Sequence, residues 1–177
     1  MRIAIVWGST TGSTEAAAES LQELLGEMVE DVHNVASISA EDMHAYDVII
    51  VGASTWDIGE LQYDWADKMP DMGNLDWSDK TFAFFGTGDA VGYADTFVDA
   101  FGIMWETLQP LGAQLVGTWP SEGYGHLESR SHIEDGKKFL GLALDNDNDP
   151  DLTDERLEKW AEQLKEELAA LPKGAAQ

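Results

Sequence analysis

Short, continuous apolar runs alternate with amphipathic helical patterns along the chain, and this alternation restricts the folds it can adopt. The clearest runs are residues 3–7, 48–51 and 81–85. Uninterrupted apolar runs of this length are typical of strands that are buried on both faces, as in parallel sheets. Between the runs, helical spacing places apolar residues on one face, as with Ala17, Leu21, Leu24, Leu25 and Met28. The pattern predicts a doubly wound α/β fold with helices on both faces of a parallel sheet.

The complete pattern predicts a five-stranded sheet within a single domain spanning residues 1–177. The expected strands, numbered 1 to 5 along the chain, are residues 2–7, 31–36, 46–53, 81–85 and 113–118. Their expected order across the sheet is 2-1-3-4-5. The expected helices lie near residues 15–28, 63–69, 96–109 and 154–171. Residues 119–138 hold three glycines and mixed charges and precede another apolar run at 139–144, so we interpret them as an insertion that interrupts the last strand. Residues 71–79 are expected to form a polar connection, and the tail at 172–177 is expected to fray.

The composition is strongly acidic, with 34 Asp and Glu against 10 Lys and Arg and a formal net charge of −24. Such a surface repels nucleic acid and anionic membranes and favours basic protein partners. Solubility alone, or adaptation to high salt, would give the same composition. No apolar run reaches the roughly 18 residues of a membrane span, and the chain has no cysteine for disulfides, thiol nucleophiles or iron–sulfur clusters. The missing cysteines do not fix the compartment. The N-terminal apolar run is too short for the apolar region of a signal peptide, and with no membrane span we expect a cytoplasmic protein.

The loop after the first strand, residues 8–14, has the composition of an anion site. It is built from Gly, Ser and Thr, carries no acidic residue and leads into a helix. The first N–H groups of a helix have no intrahelical partner, and together with the helix dipole they attract anions. The pattern indicates a phosphate site made of amides and hydroxyls. The alternative is a small-residue turn whose Ser and Thr side chains cap the helix.

Two further loops follow the third and fourth predicted strands of the sheet, and each holds one prominent aromatic residue. Trp56 lies in residues 54–62, and Tyr93 lies in residues 86–96 near Asp89. In open α/β sheets, ligands bind beyond the carboxyl ends of the strands, where the strand order reverses. Aromatic residues on two facing loops are suited to hold a flat heteroaromatic ring. Ordinary packing is the alternative for each aromatic taken alone, since the chain has seven Trp.

Taken together, the loops resemble the motifs of the flavodoxin family, in its long-chain group. The resemblance covers residues 2–170, and its motifs are Ser9-Thr10-Thr11-Gly12-Ser13-Thr14, Thr55-Trp56-Asp57-Ile58-Gly59-Glu60-Leu61, Gly86-Thr87-Gly88-Asp89-Ala90-Val91-Gly92-Tyr93-Ala94-Asp95 and Gly123-Tyr124. The insertion at 119–138 is similar to the one that defines the long-chain group. The resemblance implies an electron carrier without substrate turnover of its own. Such a carrier shuttles its flavin between semiquinone and hydroquinone at low potential and passes electrons between redox proteins.

The resemblance also implies the cofactor and the residues that hold it. The cofactor is FMN, bound without a covalent link, with its phosphate on residues 9–14 and its ring between Trp56 and Tyr93. The expected binding residues are Ser9, Thr10, Thr11, Gly12, Ser13, Thr14, Ser54, Thr55, Trp56, Asp57, Ile58, Gly59, Thr87, Gly88, Asp89, Tyr93 and Asp95. The expected partners are basic redox proteins, both reductase donors and low-potential acceptors, and the protein is expected to act as a monomer without nucleic acid or membrane.

Two positions depart from the pattern of familiar family members. Asp57 stands where many relatives carry Gly or Asn, which accept left-handed backbone geometry more easily. The resemblance implies that the carbonyl of Asp57 accepts the proton of the reduced ring, so we expect a less stabilised semiquinone than a Gly variant would give. Ser13 stands where some relatives carry Lys, which leaves the phosphate to amides and hydroxyls alone.

Three other functions are weaker alternatives. An FMN-dependent reductase of quinones or similar small molecules would need a substrate pocket over the ring and tight oligomerisation, and no sequence feature demands either. A phospho-signalling receiver needs an acidic cluster at the strand ends, but the first strand ends in Trp7-Gly8-Ser9. A non-catalytic interaction module remains only if no flavin binds.

Metal binding is not expected. The segment Asp145-Asn146-Asp147-Asn148-Asp149-Pro150 begins like a calcium loop but has Pro150 at the sixth position and Arg156 at the twelfth, where Gly and Glu are required. An acidic loop that leads into the final helix is the preferred interpretation. The four histidines show no metal-binding spacing and are interpreted as surface residues.

Overall fold

The computed structural model of the protein describes residues 1–9, 11–56 and 59–172. Three of the expected cofactor residues, Thr10, Asp57 and Ile58, lie outside the described residues, as does the tail from residue 173 onward.

The described residues form a central parallel sheet with helices between its strands. The strands are β1 (Ile3–Gly8), β2 (Asp31–Asn34), β3 (Val48–Ala53), β4 (Thr55–Trp56), β5 (Glu60–Leu61), β6 (Thr81–Thr87), β7 (Gln114–Leu115), β8 (Trp119–Pro120), β9 (His132–Ile133), β10 (Lys138–Phe139) and β11 (Leu142–Leu144). The helices are α1 (Ser13–Leu25), α2 (Ala40–Met43), α3 (Tyr63–Met72), α4 (Asp99–Leu108) and α5 (Thr153–Ala169). The order across the sheet is β2-β1-β3-β6-β11, all parallel, which confirms the predicted doubly wound topology.

The fifth position of the sheet is shared by two short strands. β7 pairs with the beginning of β6, and β11 pairs with its end, from Phe85 to Thr87. The chain between them forms a separate antiparallel sheet in the order β8-β10-β9. The predicted interruption of the last strand is therefore confirmed. Its boundary is corrected, because Phe139 pairs inside the inserted sheet and the main strand resumes only at Leu142.

Each face of the sheet packs against its own pair of helices. Adjacent residues of β6 point to opposite sides, so that Phe84 joins one core with α3 and α4 while Phe85 joins the other with α1 and α5. Both rings are fully buried. Burial on both faces explains why the central strands read as continuous apolar runs.

Several predicted element boundaries need correction. The segment 71–79 is not merely polar, since Trp77 is fully buried and donates its Nε1 hydrogen to the Met72 carbonyl at 2.9 Å. The predicted helix stops at Pro70, but α3 continues to Met72. Its last turn is held by the hydrogen bond from Gly73 N to Met69 O at 2.9 Å. The second strand was expected to run to residue 36, but β2 ends at Asn34. The Asn34 side chain accepts a hydrogen bond from Ala36 N and caps a short 3₁₀ turn.

Helix α4 begins at Asp99 rather than at residue 96, because Val98 lies in the left-handed region with φ of +49°. A β-branched residue rarely adopts this conformation, so neighbouring contacts must hold it. Ser131 supplies one of them by donating its hydroxyl to the Val98 carbonyl at 2.5 Å, and Ser129 donates to the Phe97 carbonyl. The inserted segment therefore fixes the turn that precedes α4.

No helix in the described parts of the chain has the length and apolar character needed to cross a bilayer.

Candidate functional site

A cleft of about 530 Å³ opens at the carboxyl ends of β1, β3 and β6. Three loops meet there, because the three strands are neighbours and run in the same direction. Nine of the predicted cofactor residues line the cleft: Thr11, Ser13, Ser54, Thr55, Trp56, Thr87, Gly88, Asp89 and Tyr93. Residues that lie far apart in the sequence thus form one site at the position where this topology places ligands.

One end of the cleft is polar and uncharged. Thr11 and Ser13 contribute to its wall, and Ser13 is the first residue of α1. Gly12 between them adopts a φ of +92°, which a glycine accepts without steric cost, and its N–H donates to the Ser9 hydroxyl at 2.9 Å. Because Ser13 both begins α1 and lines the cleft, the first turn of α1, whose N–H groups have no intrahelical acceptor, lies beside these hydroxyls. This end is suited to an anion.

Thr14 supports the loop from behind. It is 1% exposed, and its hydroxyl lies 3.4 Å from that of Thr87 at the end of β6. The contact joins the first turn of α1 to the end of β6. Thr14 therefore lies next to the cleft without being part of its open wall.

The walls of the cleft carry the two predicted aromatic residues, Trp56 and Tyr93. Trp56 belongs to the β4–β5 hairpin, where it pairs with Glu60. Its indole Nε1 is buried and has no hydrogen-bond partner among the described residues. A buried donor without an acceptor is unfavourable unless a ligand completes it. Tyr93 is 50% exposed, so its ring is accessible to a ligand in the cleft.

Gly59 lets the β4–β5 hairpin pack closely against the start of α4. It has a φ of +75°, and a Cβ atom there would lie 2.6 Å from Asp99 Oδ2. Next to it, the hydroxyl of Thr55 accepts a hydrogen bond from Ala100 N at 3.0 Å. These contacts attach the hairpin to the start of α4 and fix the position of Trp56.

Part of the cleft wall is acidic. Asp89 accepts hydrogen bonds from Gly92 N at 2.7 Å and from the Asn148 side chain at 2.8 Å, and these bonds lower its pKa. Asp147 is exposed but has a raised pKa, because partial desolvation and then the charges of Asp89 and Asp145 disfavour its ionised form. Oxygen atoms of Asp89, Asp145 and Asp147 all lie within 4.8 Å of one another. Negative charge is thus concentrated where the loops after β6 and β11 meet.

Sequence reasoning missed two lining residues, Asn146 and Asp147. They follow β11 directly, and its end lies at the same edge of the sheet as the other site loops. The topology carries the signal, because any loop after the strand next to β6 reaches this edge of the sheet. As predicted, the segment leads into the final helix, through a 3₁₀ turn at Pro150–Leu152.

Asp95 does not line this cleft. It borders a neighbouring depression of about 300 Å³ together with Leu127, Glu128, Ser129, Arg130 and His132. The predicted contact between Asp95 and the cofactor therefore stays a prediction.

The expectation that the histidines lie at the surface is met in part. All four are half-buried and have ring or hydrogen-bond partners. His126 and His132 contact one another inside the inserted segment, with 2.8 Å between their Nε2 atoms.

Comparison with known proteins agrees with this fold. The family model "Flavodoxin" matches residues 5–160. "Flavodoxin 1" of Escherichia coli (strain K12) is 46% identical over 164 residues, 93% of each chain. "Flavodoxin" of Trichodesmium erythraeum is 46% identical over 169 residues, 94% of this chain and 98% of that one. The crystal structure of Fusobacterium nucleatum flavodoxin bound to flavin mononucleotide has a TM-score of 0.86 at 25% identity and covers 94% of this chain. The chain therefore belongs to the flavodoxin family.

Proposed function

We propose that this protein is a low-potential electron carrier that binds FMN non-covalently in the cleft between residues 9–14, 54–59 and 87–93. The observation that carries the proposal is the composition of the cleft wall. Hydroxyls and a helix N-terminus form one part of the wall, two aromatic residues form another, and carboxylates form a third. A phosphate, a flat ring and a negative environment for added electrons correspond to these three parts.

The residues present fit FMN in size and in chemistry. The cleft volume of about 530 Å³ is within the range of small-molecule sites. Trp56 offers a buried Nε1 donor that has no acceptor among the described residues, and a bound ligand can supply one. The relative from Fusobacterium nucleatum, bound to flavin mononucleotide, supports the same assignment.

The protein's own charges explain a low potential. Bound FMN supplies the redox chemistry, and the surrounding residues set how readily it accepts electrons. Asp89 and Asp147 line the cleft, and no Lys or Arg does so among the described residues. One unit charge ~10 Å away opposes an added electron by about 0.4–1.7 kcal/mol at effective dielectric constants of 80 to 20. This equals roughly 20–70 mV per carboxylate before salt screening.

The partner would dock on what we call the docking face, formed by Val91, Tyr93, Leu127, Asp95 and Glu128. The three apolar side chains are 63%, 50% and 74% exposed. The inserted segment joins this face, because the N–H groups of Leu127 and Glu128 both donate to the Ala94 carbonyl, at 2.8 and 3.0 Å. Exposed apolar residues bordered by carboxylates suit a basic redox protein with an apolar centre.

The remaining proposals follow from the acidic surface. With a net charge of −24, the protein would avoid nucleic acid and anionic membranes and repel other copies of itself. The repulsion between copies favours a monomer. We also propose that the protein is cytoplasmic and folds as a single domain.

Reversing the charge of the docking face tests this function. The doubly substituted variant Asp95→Lys with Glu128→Lys should transfer electrons from the reduced holoprotein to cytochrome c, a basic acceptor, about tenfold more slowly at low ionic strength. Stopped-flow absorbance of the cytochrome measures the rate. The difference should shrink near 1 M salt, where the screening length is about 3 Å.

A matched control carries the same charge change at the opposite end of the sheet. Asp71 and Asp79 are exposed and lie on the side where β6 begins. Asp71→Lys with Asp79→Lys should reduce the rate much less. Equal slowing by both variants would mean that net charge, and not this face, controls association, and a rate independent of salt would contradict electrostatic docking.

A further inference from the structure

The inserted segment brings two imidazoles together outside the cleft. His126 follows the loop after β8, and His132 is the first residue of β9. Their Nε2 atoms are 2.8 Å apart, and their ring centroids are 4.9 Å apart at 58°. Nothing in the proposed electron transfer uses this pair.

The pair is held in place by aromatic neighbours on one side. His132 stacks on Phe139 with centroids 5.2 Å apart, and His126 packs on Phe139 and Phe97 at 5.1 and 5.3 Å. Phe97 and Phe139 are fully buried, so neither ring can turn away without opening the core beneath. The two Nε2 atoms are therefore preorganised rather than free to separate.

The separation matches adjacent coordination positions on one metal ion. Two nitrogens bound to one ion at about 2.0 Å, at right angles, lie about 2.8 Å apart. Imidazole nitrogen is a preferred ligand of copper, nickel and zinc, and right-angled positions are typical of tetragonal Cu²⁺. Tetrahedral geometry would require a wider separation. We propose that His126 and His132 form a two-imidazole site for Cu²⁺, with water in the remaining positions.

The charges around the pair favour a bound cation. The charged groups around the pair are Asp99, Asp95, Glu128 and Arg130, three carboxylates against one cation.

Electron paramagnetic resonance of the oxidised FMN-bound protein with one equivalent of Cu²⁺ tests the site. Oxidised flavin is diamagnetic, so the signal reports copper alone. We expect hyperfine couplings from two imidazole nitrogens. A spectrum with oxygen ligands only would place the copper elsewhere, for example at Asp89, Asp145 and Asp147, and would overturn the proposal. This result does not depend on any variant folding correctly.

Affinity measurements with variants extend the test. His126→Gln and His132→Gln should each weaken Cu²⁺ binding by about tenfold or more, measured by titration calorimetry of the holoprotein. His44→Gln is the control, because His44 contacts the Asp76 carbonyl instead of another histidine, and it should bind copper as the wild type does. Equal affinity in all four proteins would mean that the pair is only a hydrogen bond between neutral rings. FMN stoichiometry shows that each variant is folded.

Discussion

Replacing Thr11 with Asp is expected to weaken FMN binding about 1,000-fold. Thr11 is exposed and lies on the hydroxyl-lined wall of the cleft, directly before Gly12 and the start of α1. A carboxylate about 4 Å from one negative charge costs about 4 kcal/mol at an effective dielectric constant of 20, and a phosphate carries more than one charge. Each 1.4 kcal/mol is tenfold in the dissociation constant. Titration of the apoprotein with FMN, followed by flavin fluorescence, measures the loss.

Thr11→Asn is the matched control, because Asn has the shape of Asp without its charge. It should bind FMN within about tenfold of the wild type. Thr14 is a poorer choice for this test, since its side chain is buried against Thr87 and a charge there would also disturb the fold. If Thr11→Asp binds FMN as tightly as Thr11→Asn, the phosphate does not lie on this loop.

Gly86→Ala is expected to lower the free energy of unfolding by about 3 kcal/mol or more. A Cβ atom at Gly86 would lie 1.7 Å from the carbonyl oxygen of Ala53 and 3.1 Å from the Phe101 ring. The obstacle is backbone of the neighbouring strand β3, and β6 cannot shift the other way because β11 pairs on its other side. Urea unfolding of the apoprotein, monitored by tryptophan fluorescence, measures the change.

The same substitution should also weaken FMN binding. Ser54 directly follows β3, Thr87 ends β6, and both residues line the cleft, so separating the two strands widens it. Gly125→Ala is the control: its Cβ would lie 3.2 Å from the Val91 side chain, which is exposed and can rotate. That change should stay within about 0.5 kcal/mol. A Gly86→Ala protein as stable as the control would contradict the close approach of the two strands.

The sheet and most of the cleft were predictable from the sequence, because local patterns determine them. Residues 48–51 and 81–85 read as strands buried on both faces, and the structure confirms this with Phe84 and Phe85 in separate cores. Once the strands are ordered, the loops with Trp56 and Tyr93 necessarily meet at one edge. Composition marks residues 8–14 as a candidate anion site but fits a helix-capping turn equally well, and the position of Thr11 and Ser13 on the cleft wall favours the first.

The unpredicted features depend on contacts between distant parts of the chain. Val98 carries no sequence signal for left-handed geometry, and contacts from Ser129 and Ser131 in the insertion hold that turn. Trp77 lies among polar residues, yet it is buried because the end of α3 covers it. Asp147 joins the site only because β11 ends beside β6. The pattern of apolar residues within one segment predicts that segment's secondary structure, but it does not predict contacts with distant segments.

The central claim is that the cleft holds FMN for one-electron transfer between proteins, and reductive titration of the holoprotein tests it most directly. Absorbance is followed while dithionite is added anaerobically in the presence of redox indicators. We expect one FMN per chain and uptake of two electrons in two well-separated one-electron steps, the second at low potential, with a long-wavelength absorbance that rises in the first step and disappears in the second. A single two-electron step without that absorbance would favour a reductase of small molecules, and a protein that takes up no FMN would contradict the account entirely.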